Sequence, residues 1–99
     1  MRTCGVYAIL NVQTNQIYVG CSVHIEERWE HHFHLLQDGL HQNHLLQQAY
    51  DLAPDIFAAI VLETTVPART YEREQIWITR MLKRHELYNL DLRTHESIT

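Results

Sequence analysis

The spacing of apolar residues at the start of the chain predicts a β-hairpin. The β-prone residues 4–10 predict a strand, and residues 16–21 predict its hairpin partner. The polar segment 11–16 separates them and predicts a turn. The chain is therefore expected to begin with two antiparallel strands.

After the hairpin, the apolar period changes to that of helices. Ser22 is the expected N-cap and Gly39 the expected C-cap of the first helix, and Pro54 ends the second. A nearly continuous apolar run at 56–62 predicts a central, fully buried strand. The expected elements after the hairpin are helices at 23–38, 42–52 and 69–84, the strand at 56–62, and an extended segment at 87–92.

These elements predict a small α/β fold of the α+β sandwich type, in the order β-β-α-α-β-α. A three-stranded antiparallel sheet would be flanked by helices. The 99 residues are expected to form a single domain, 1–99, with its core at about 4–92.

Composition and charge indicate an ordinary soluble globule and narrow its partners. Hydrophobic residues make up 45% and charged residues 20% of the chain. No signal peptide or membrane-spanning run is evident, and two cysteines suit a reducing compartment, so a cytoplasmic location without membrane association is expected. The formal net charge of −4 argues against tight binding to nucleic acid, although five of the eight basic residues fall between positions 69 and 84.

Two tyrosine–glycine motifs stand in the predicted strands, Gly5-Val6-Tyr7 and Tyr18-Val19-Gly20. A hairpin would bring the two phenol hydroxyls close together, and the glycines would leave room for a ligand to approach the backbone. Cys4 and Cys21 would lie roughly opposite each other, but a disulfide is not expected in a reducing compartment.

The first predicted helix carries two cationic or titratable residues on its apolar face. A helical wheel places Arg28 and His32 inside the apolar arc and puts His31 and His34 outside it. One interpretation is structural: the stem of Arg28 packs on the core, and His32 is a hydrogen-bonded core histidine. Burying both without an anion would be costly, which favours a functional pair.

The last predicted helix shows the same anomaly with the opposite sign. Glu74 lies near the middle of the apolar arc, where a carboxylate needs a partner, a metal or a raised pKa. An ion pair with Arg28 and a metal site are the two interpretations. On another face, four arginines form a stripe that would either follow a phosphate backbone or be a solvated surface: Arg69, Arg73, Arg80 and Arg84.

Together these positions resemble the GIY-YIG nuclease superfamily, and in particular the catalytic domains of phage intron homing endonucleases. The resemblance spans positions 5–89 and includes both tyrosine–glycine motifs, Arg28 eight residues after the second motif, His32 four residues later, Glu74 ahead of Trp77-Ile78, and Asn89 after Tyr88. His41 matches an accessory histidine near the active site of these relatives. Lysine and serine, common in the family, are replaced by Glu27 and Cys21.

The resemblance implies a metal-dependent endonuclease that hydrolyses DNA. Glu74 would bind a single Mg²⁺ or Mn²⁺, Tyr7 would be the general base with help from Tyr18 and His32, Arg28 would stabilise the transition state, and Asn89 would orient the site. The four arginines of the stripe would bind DNA weakly and without sequence preference. Recognition of a longer DNA sequence would require self-association or a DNA-binding partner protein.

Three other hypotheses remain open from the sequence. The same fold could be an inactive binding module, or a nuclease that acts on RNA or branched DNA. The histidines at positions 31, 32, 34, 41 and 44 could instead bind zinc, although a structural zinc site usually includes thiolates and the wheel separates His31 and His34 from His32.

Overall fold

A computed structural model describes residues 3–89 of the chain. The strands are β1 (Gly5–Asn11), β2 (Ile17–Ser22) and β3 (Phe57–Thr64). The helices are α1 (Ile25–Asp38), α2 (His44–Leu52) and α3 (Thr70–Leu82), and short 3₁₀ turns precede β3 and α3. The predicted order of elements is confirmed, and the predicted positions 90–92 lie outside the described residues.

The three strands form one antiparallel sheet in the order β2-β1-β3, so β1 is the central strand. The prediction that residues 56–62 form a central, fully buried strand is wrong. The apolar run belongs to the edge strand β3, in which Ile60 and Val61 are exposed. In β3, Phe57 and Leu62 are partly buried against the two core clusters. An apolar run alone does not distinguish an edge strand from a central strand.

Helices cover both faces of the sheet. Alternation along the strands turns Tyr7, Ile9 and Tyr18 towards α1 and α2, where they share a core with Ile25, Leu36 and Leu46. On the other face, Val6 and Val19 pack against Ile78 of α3. Any group that α3 contributes to a site therefore approaches from the layer opposite α1.

The ends of α1 illustrate how local sequence sets the frame. Gly39 adopts a left-handed conformation, with φ of 73°, and its amide donates to the carbonyls of Leu35 and Leu36, as expected for a C-cap. The predicted N-cap is wrong. Ser22 is the last residue of β2, its hydroxyl accepts from the amide of His24, and the helix begins at Ile25 with no side-chain cap.

The segment after α3 covers the outer edge of β2. The Ile17 amide donates to the carbonyl of Glu86, and the Tyr88 amide donates to the carbonyl of Ile17. Leu87 forms an isolated parallel bridge with Ile17. Within residues 3–89, no helix has the length and apolar character needed to cross a membrane.

Candidate active site

Three buried or half-buried side chains form a continuous hydrogen-bonded chain beneath the sheet. The Tyr7 hydroxyl lies 2.7 Å from Nε2 of His32, and Nδ1 of His32 lies 2.8 Å from Nε2 of His41. The Tyr18 ring packs edge-on against the His32 ring, with the centroids 5.3 Å apart. The structure thus brings together four of the residues predicted for the site, on the face that also carries α1 and α2.

Strand register explains why Tyr7 reaches His32. Tyr7 pairs with Gly20, and Tyr18 pairs with Ile9, so the two phenols are diagonal neighbours on one face. A Cβ atom on Gly20 would lie 2.5 Å from Cζ and Oη of Tyr7. The expectation that this glycine admits a ligand is wrong, because the space that it leaves is filled by the Tyr7 hydroxyl.

Gly5 serves a comparable role on the other side of β1. A Cβ atom there would lie 2.0 Å from the carbonyl oxygen of Glu63 in β3, close to the irregularity between Val6 and Tyr7 in the β1–β3 pairing. The glycines of both motifs therefore permit close packing within the protein. Cys21 pairs with Val6 rather than facing Cys4, and both cysteines are free thiols.

The tyrosines and histidines of this hydrogen-bonded chain are uncharged at neutral pH. The pKa of His32 is lowered to about 3, mainly by burial and also by the neighbouring His41 and Arg28. Burial raises the pKa of Tyr7 well above its usual range, Tyr18 adds to the rise, and Arg28 opposes it. Burial also raises the pKa of Tyr18 to about 12, with Glu74 as the next cause.

Arg28 is the cation shared by these groups. It lies half-buried in the first turn of α1, and its Nε atom is buried without a hydrogen-bond partner. Its charge opposes the rise in pKa at Tyr7, Tyr18 and Cys21. A half-buried guanidinium with an unused donor is suited to an anion such as a phosphate.

Glu74 of α3 is buried, with 3% of its surface exposed. Burial raises the pKa of this carboxyl to about 7, while hydrogen bonds with Gln75 and Cys21 oppose the rise. The pKa of the Cys21 thiol is raised to about 12, first by burial and then by Glu74, so the thiol is protonated beside the carboxyl. The wheel prediction that Glu74 lies on the apolar face is confirmed.

Asn89 supports the second tyrosine motif through its backbone. Its Oδ1 accepts from the Val19 amide at 2.9 Å, and its Nδ2 donates to the Val19 carbonyl at 2.8 Å. These contacts satisfy the outer edge of β2 between Tyr18 and Gly20. The side chain therefore fixes the backbone of the strand that carries the second motif, and its role in orienting the site stays a prediction.

Comparisons with known proteins agree with this geometry. A family model for the GIY-YIG catalytic domain matches residues 3–89. The chain belongs to the GIY-YIG family. It is 32% identical over 88 residues to intron-associated endonuclease 1 of Enterobacteria phage T4, covering 87% of this chain and 36% of that protein. The chain thus spans about a third of the length of this curated relative.

Solved structures place the same fold in that group. The chain is 30% identical to the catalytic domain of the homing endonuclease I-TevI, with a TM-score of 0.81, covering 89% of this chain and 98% of the other. A mutant of the catalytic domain of intron endonuclease I-TevI gives a TM-score of 0.83 at 30% identity, covering 95% and 98%. The three-stranded antiparallel sheet with three helices is the fold of that domain.

Asn43 is a residue of this GIY-YIG site to which the sequence assigned no role. It is buried and caps α2, because its Oδ1 accepts from the Leu46 amide at 3.0 Å. Its Nδ2 donates to the Tyr88 carbonyl at 2.7 Å, and its own amide donates to Nδ1 of His41 at 3.0 Å. An asparagine ahead of a helical pattern predicts the cap, but the link to His41 has no sequence signal.

The arginine stripe is less open than its sequence spacing suggests. Arg69 pairs with Glu72 at 3.0 Å, and Arg73 pairs with Glu63 at 2.9 Å. Arg80 lies over the Trp77 ring, 5.0 Å from its centroid, and α3 ends at Leu82, so Arg84 lies beyond the helix. A phosphate would compete with carboxylates at two of these four positions.

Across residues 3–89, no group of three or more His, Cys, Asp or Glu side chains is placed to hold a metal ion. His31 and His34 are exposed, whereas His32 is buried and bonded to Tyr7 and His41. The histidines therefore do not converge on a zinc site within the described residues.

Proposed function

We propose that this chain is a divalent-metal-dependent endonuclease that hydrolyses phosphodiester bonds in DNA. The observation that carries the proposal is Arg28, whose buried Nε has no hydrogen-bond partner and whose charge reaches both tyrosines. A guanidinium in this position suits the extra negative charge that develops on a phosphate during hydrolysis. Membership of a nuclease family and similarity to the endonuclease of phage T4 support the same activity.

The residues around Glu74 fit a single hard cation, Mg²⁺ or Mn²⁺. The site offers one carboxylate, and the adjacent Cys21 is held as a neutral thiol rather than a thiolate that would select a softer metal. Mg²⁺ commonly keeps several waters and binds through one or two carboxylates plus substrate phosphate. When bound, the cation would stabilise negative charge on the leaving oxygen.

Tyr7 is proposed as the general base. The water oxygen forms a bond to phosphorus, the bond from phosphorus to the leaving oxygen breaks, and the water proton passes to the Tyr7 phenolate. Because burial raises the pKa of Tyr7, the phenolate is a minor form at neutral pH. The cleavage rate is therefore expected to increase with pH through the neutral range.

Arg28 and Asn89 have different proposed roles. Arg28 would bind the phosphate oxygens in a forked contact and stabilise the transition state. Asn89 would hold β2 in place through Val19, so its contribution would be indirect. DNA binding by the described surface would be weak and without sequence preference, because Arg69 and Arg73 are already paired with carboxylates.

A nicking assay on supercoiled plasmid, with and without Mg²⁺, tests this proposal. We expect Mg²⁺-dependent conversion to open circles by the wild type and none by Glu74→Gln. A single-stranded RNA and a branched DNA, supplied in separate reactions at equal phosphate concentration, test the other substrates. Cleavage confined to either would overturn the assignment to duplex DNA, and binding without cleavage of any substrate would identify an inactive module.

A further inference from the structure

The chain of hydrogen bonds from Tyr7 to His41 ends on a group that can only donate. The Asn43 backbone amide points at Nδ1 of His41 with the nitrogens 3.0 Å apart. Nδ1 of His41 must therefore accept, so it carries a lone pair and no proton. A neutral His41 then holds its one proton on Nε2.

The position of the proton on His41 also fixes the tautomer of His32. Nε2 of His41 lies 2.8 Å from Nδ1 of His32, so the proton on His41 makes Nδ1 of His32 an acceptor. The single proton of His32 is then on Nε2, which lies 2.7 Å from the Tyr7 oxygen. We infer that the Asn43 amide sets the direction of the whole chain, so that His32 donates a hydrogen bond to Tyr7 and His41 is a positioning residue that holds His32 in this tautomer.

The surroundings of the chain keep this arrangement fixed. Asn43 is tied to Leu46 as a helix cap and to the carbonyl of Tyr88. The His41 amide donates to Oε1 of Gln47, whose Nε2 donates to the Leu36 carbonyl. Burial lowers the pKa of both histidines, which keeps each ring neutral with one proton.

This direction decides what His32 can do for Tyr7, and that consequence rests on the proposed function. To take the phenol proton, His32 would need a lone pair on Nε2 and a proton on Nδ1. Two N–H groups would then face each other between His32 and His41. His32 is instead placed to stabilise a Tyr7 phenolate by donating to it, and the phenol proton must leave on another side.

Long-range ¹⁵N–¹H NMR of the histidine rings at pH 8 tests the inference without any cleavage. We expect both His32 and His41 to be neutral with the proton on Nε2. A His32 ring protonated on Nδ1, or doubly protonated, would overturn it. If the tautomers are as expected and the chain does not cleave DNA, the proposed function fails while this inference stands.

A matched pair of variants at position 41 separates donation from packing. His41→Gln has an amide that donates to His32, whereas His41→Glu has the same length and, when ionised, only accepts. We expect His41→Gln to keep the Nε2 proton on His32 and most of the cleavage rate. We expect His41→Glu to move that proton to Nδ1 and to slow cleavage by roughly ten- to a hundredfold, the loss typical of a hydrogen bond to a charged group.

Both variants must have dispersed amide spectra and melting temperatures close to each other for the comparison to count as one between folded proteins. Equal loss of cleavage in folded His41→Gln and His41→Glu would overturn the positioning role, as would an unchanged His32 tautomer in His41→Glu. If His41→Glu changes the His32 tautomer but still cleaves DNA at the wild-type rate with Mg²⁺, the inference is overturned and the proposed function stands.

Discussion

The two faces of the sheet bury polar groups in different ways. Beneath α1 and α2, all four ring nitrogens of His32 and His41 lie within hydrogen-bond distance of Tyr7, of each other or of the Asn43 amide. On the α3 face, Glu74 is as deeply buried, yet burial holds its pKa near 7, where it is only partly ionised. The histidines of the first face are thus paired within the protein, whereas the second face holds a buried carboxyl with a raised pKa.

From this difference we propose separate tasks for the two faces. A preorganised network keeps its geometry at little cost when a substrate binds. A nearby cation stabilises a buried carboxyl with a raised pKa, because the cation favours the ionised form that burial opposes. Arg28 connects the faces, since its charge opposes the rise in pKa at both tyrosines and at Cys21.

The largest expected effect comes from removing the charge on the α3 face. Glu74→Gln should reduce Mg²⁺-dependent cleavage by about 10³-fold or more, because it removes the carboxylate that is proposed to bind the cation. Its fold should remain, which circular dichroism and thermal melting check. Glu72→Gln, on the exposed side of the same helix, is the control and should cleave like the wild type. A large drop in melting temperature shared by Glu74→Gln and Arg28→Ala would favour a structural ion pair instead.

Arg28→Lys should lose about 10²-fold in cleavage rate, although the charge is retained. A lysine is a point charge and cannot make the forked contact of a guanidinium with phosphate. Single-turnover rates on a duplex oligonucleotide measure the loss. Arg80→Lys, which replaces an exposed arginine over Trp77, is the control. Full activity in Arg28→Lys would show that Arg28 only balances charge between the faces.

Gly20→Ala tests whether the first face is as tightly fitted as its contacts indicate. The added Cβ would displace the Tyr7 hydroxyl, so we expect a loss of about 1–3 kcal/mol in unfolding free energy and at least about tenfold in rate. Gly39→Ala is the control, because strain at its positive φ should cost about 1–2 kcal/mol with the site untouched. Equal rates in the two variants would contradict the tight fit.

Titratable groups on the two faces should also make the stability of the protein depend on pH in opposite directions. The raised pKa of Glu74 makes the folded state bind more protons between its ordinary value of 4.5 and about 7, so stability falls as pH rises through this window. Relative to the wild type, Glu74→Gln should gain on the order of 3 kcal/mol between pH 4.5 and 8. Urea denaturation of both proteins at the two pH values measures this difference.

His32 should show the opposite trend. Its pKa is lowered to about 3, so the unfolded state binds the extra proton, and stability present above pH 6.5 is lost as pH falls towards 3. His32→Gln should flatten this acid limb in the same urea experiments. An acid limb that is unchanged in His32→Gln would show that the buried chain is not the source of acid sensitivity.

The smallest expected effect concerns DNA affinity. For duplex DNA, each neutralised phosphate contributes a slope of about 0.9 to the log–log salt dependence of binding. Replacing Arg80 and Arg84 with glutamine should flatten the slope by about two units, whereas replacing Arg69 and Arg73 should change it less, because carboxylates already pair with them. Salt titrations by fluorescence anisotropy compare the two double variants, and equal changes would contradict the assigned pairing.

The sequence predicted those features that depend on local pattern. The wheel placed Arg28, His32 and Glu74 on apolar faces because polar residues inside an apolar arc are visible without coordinates. The helices were found to within a few residues, and Gly39 was correctly assigned as a C-cap. Family resemblance then supplied roles for these residues, and those roles stay predictions.

The sequence did not predict features that depend on tertiary contacts. The edge position of β3 follows from which strands pair, which an apolar run does not encode. The packing role of Gly20 depends on the hydroxyl of Tyr7, which lies opposite it on the neighbouring strand β1. The Asn43 amide is a backbone donor that every non-proline residue has, so nothing in the sequence marks it as the end of the histidine chain.

The most direct test of the contrast between the two faces is the rate of first-strand cleavage as a function of Mg²⁺ concentration. We predict a saturable dependence for the wild type with no cleavage in EDTA. His41→Gln, altered on the face beneath α1 and α2, should follow the same Mg²⁺ curve. Glu74→Gln should show no cleavage at any Mg²⁺ concentration. Cleavage by the wild type in EDTA, or a wild-type Mg²⁺ curve for Glu74→Gln, would contradict the account.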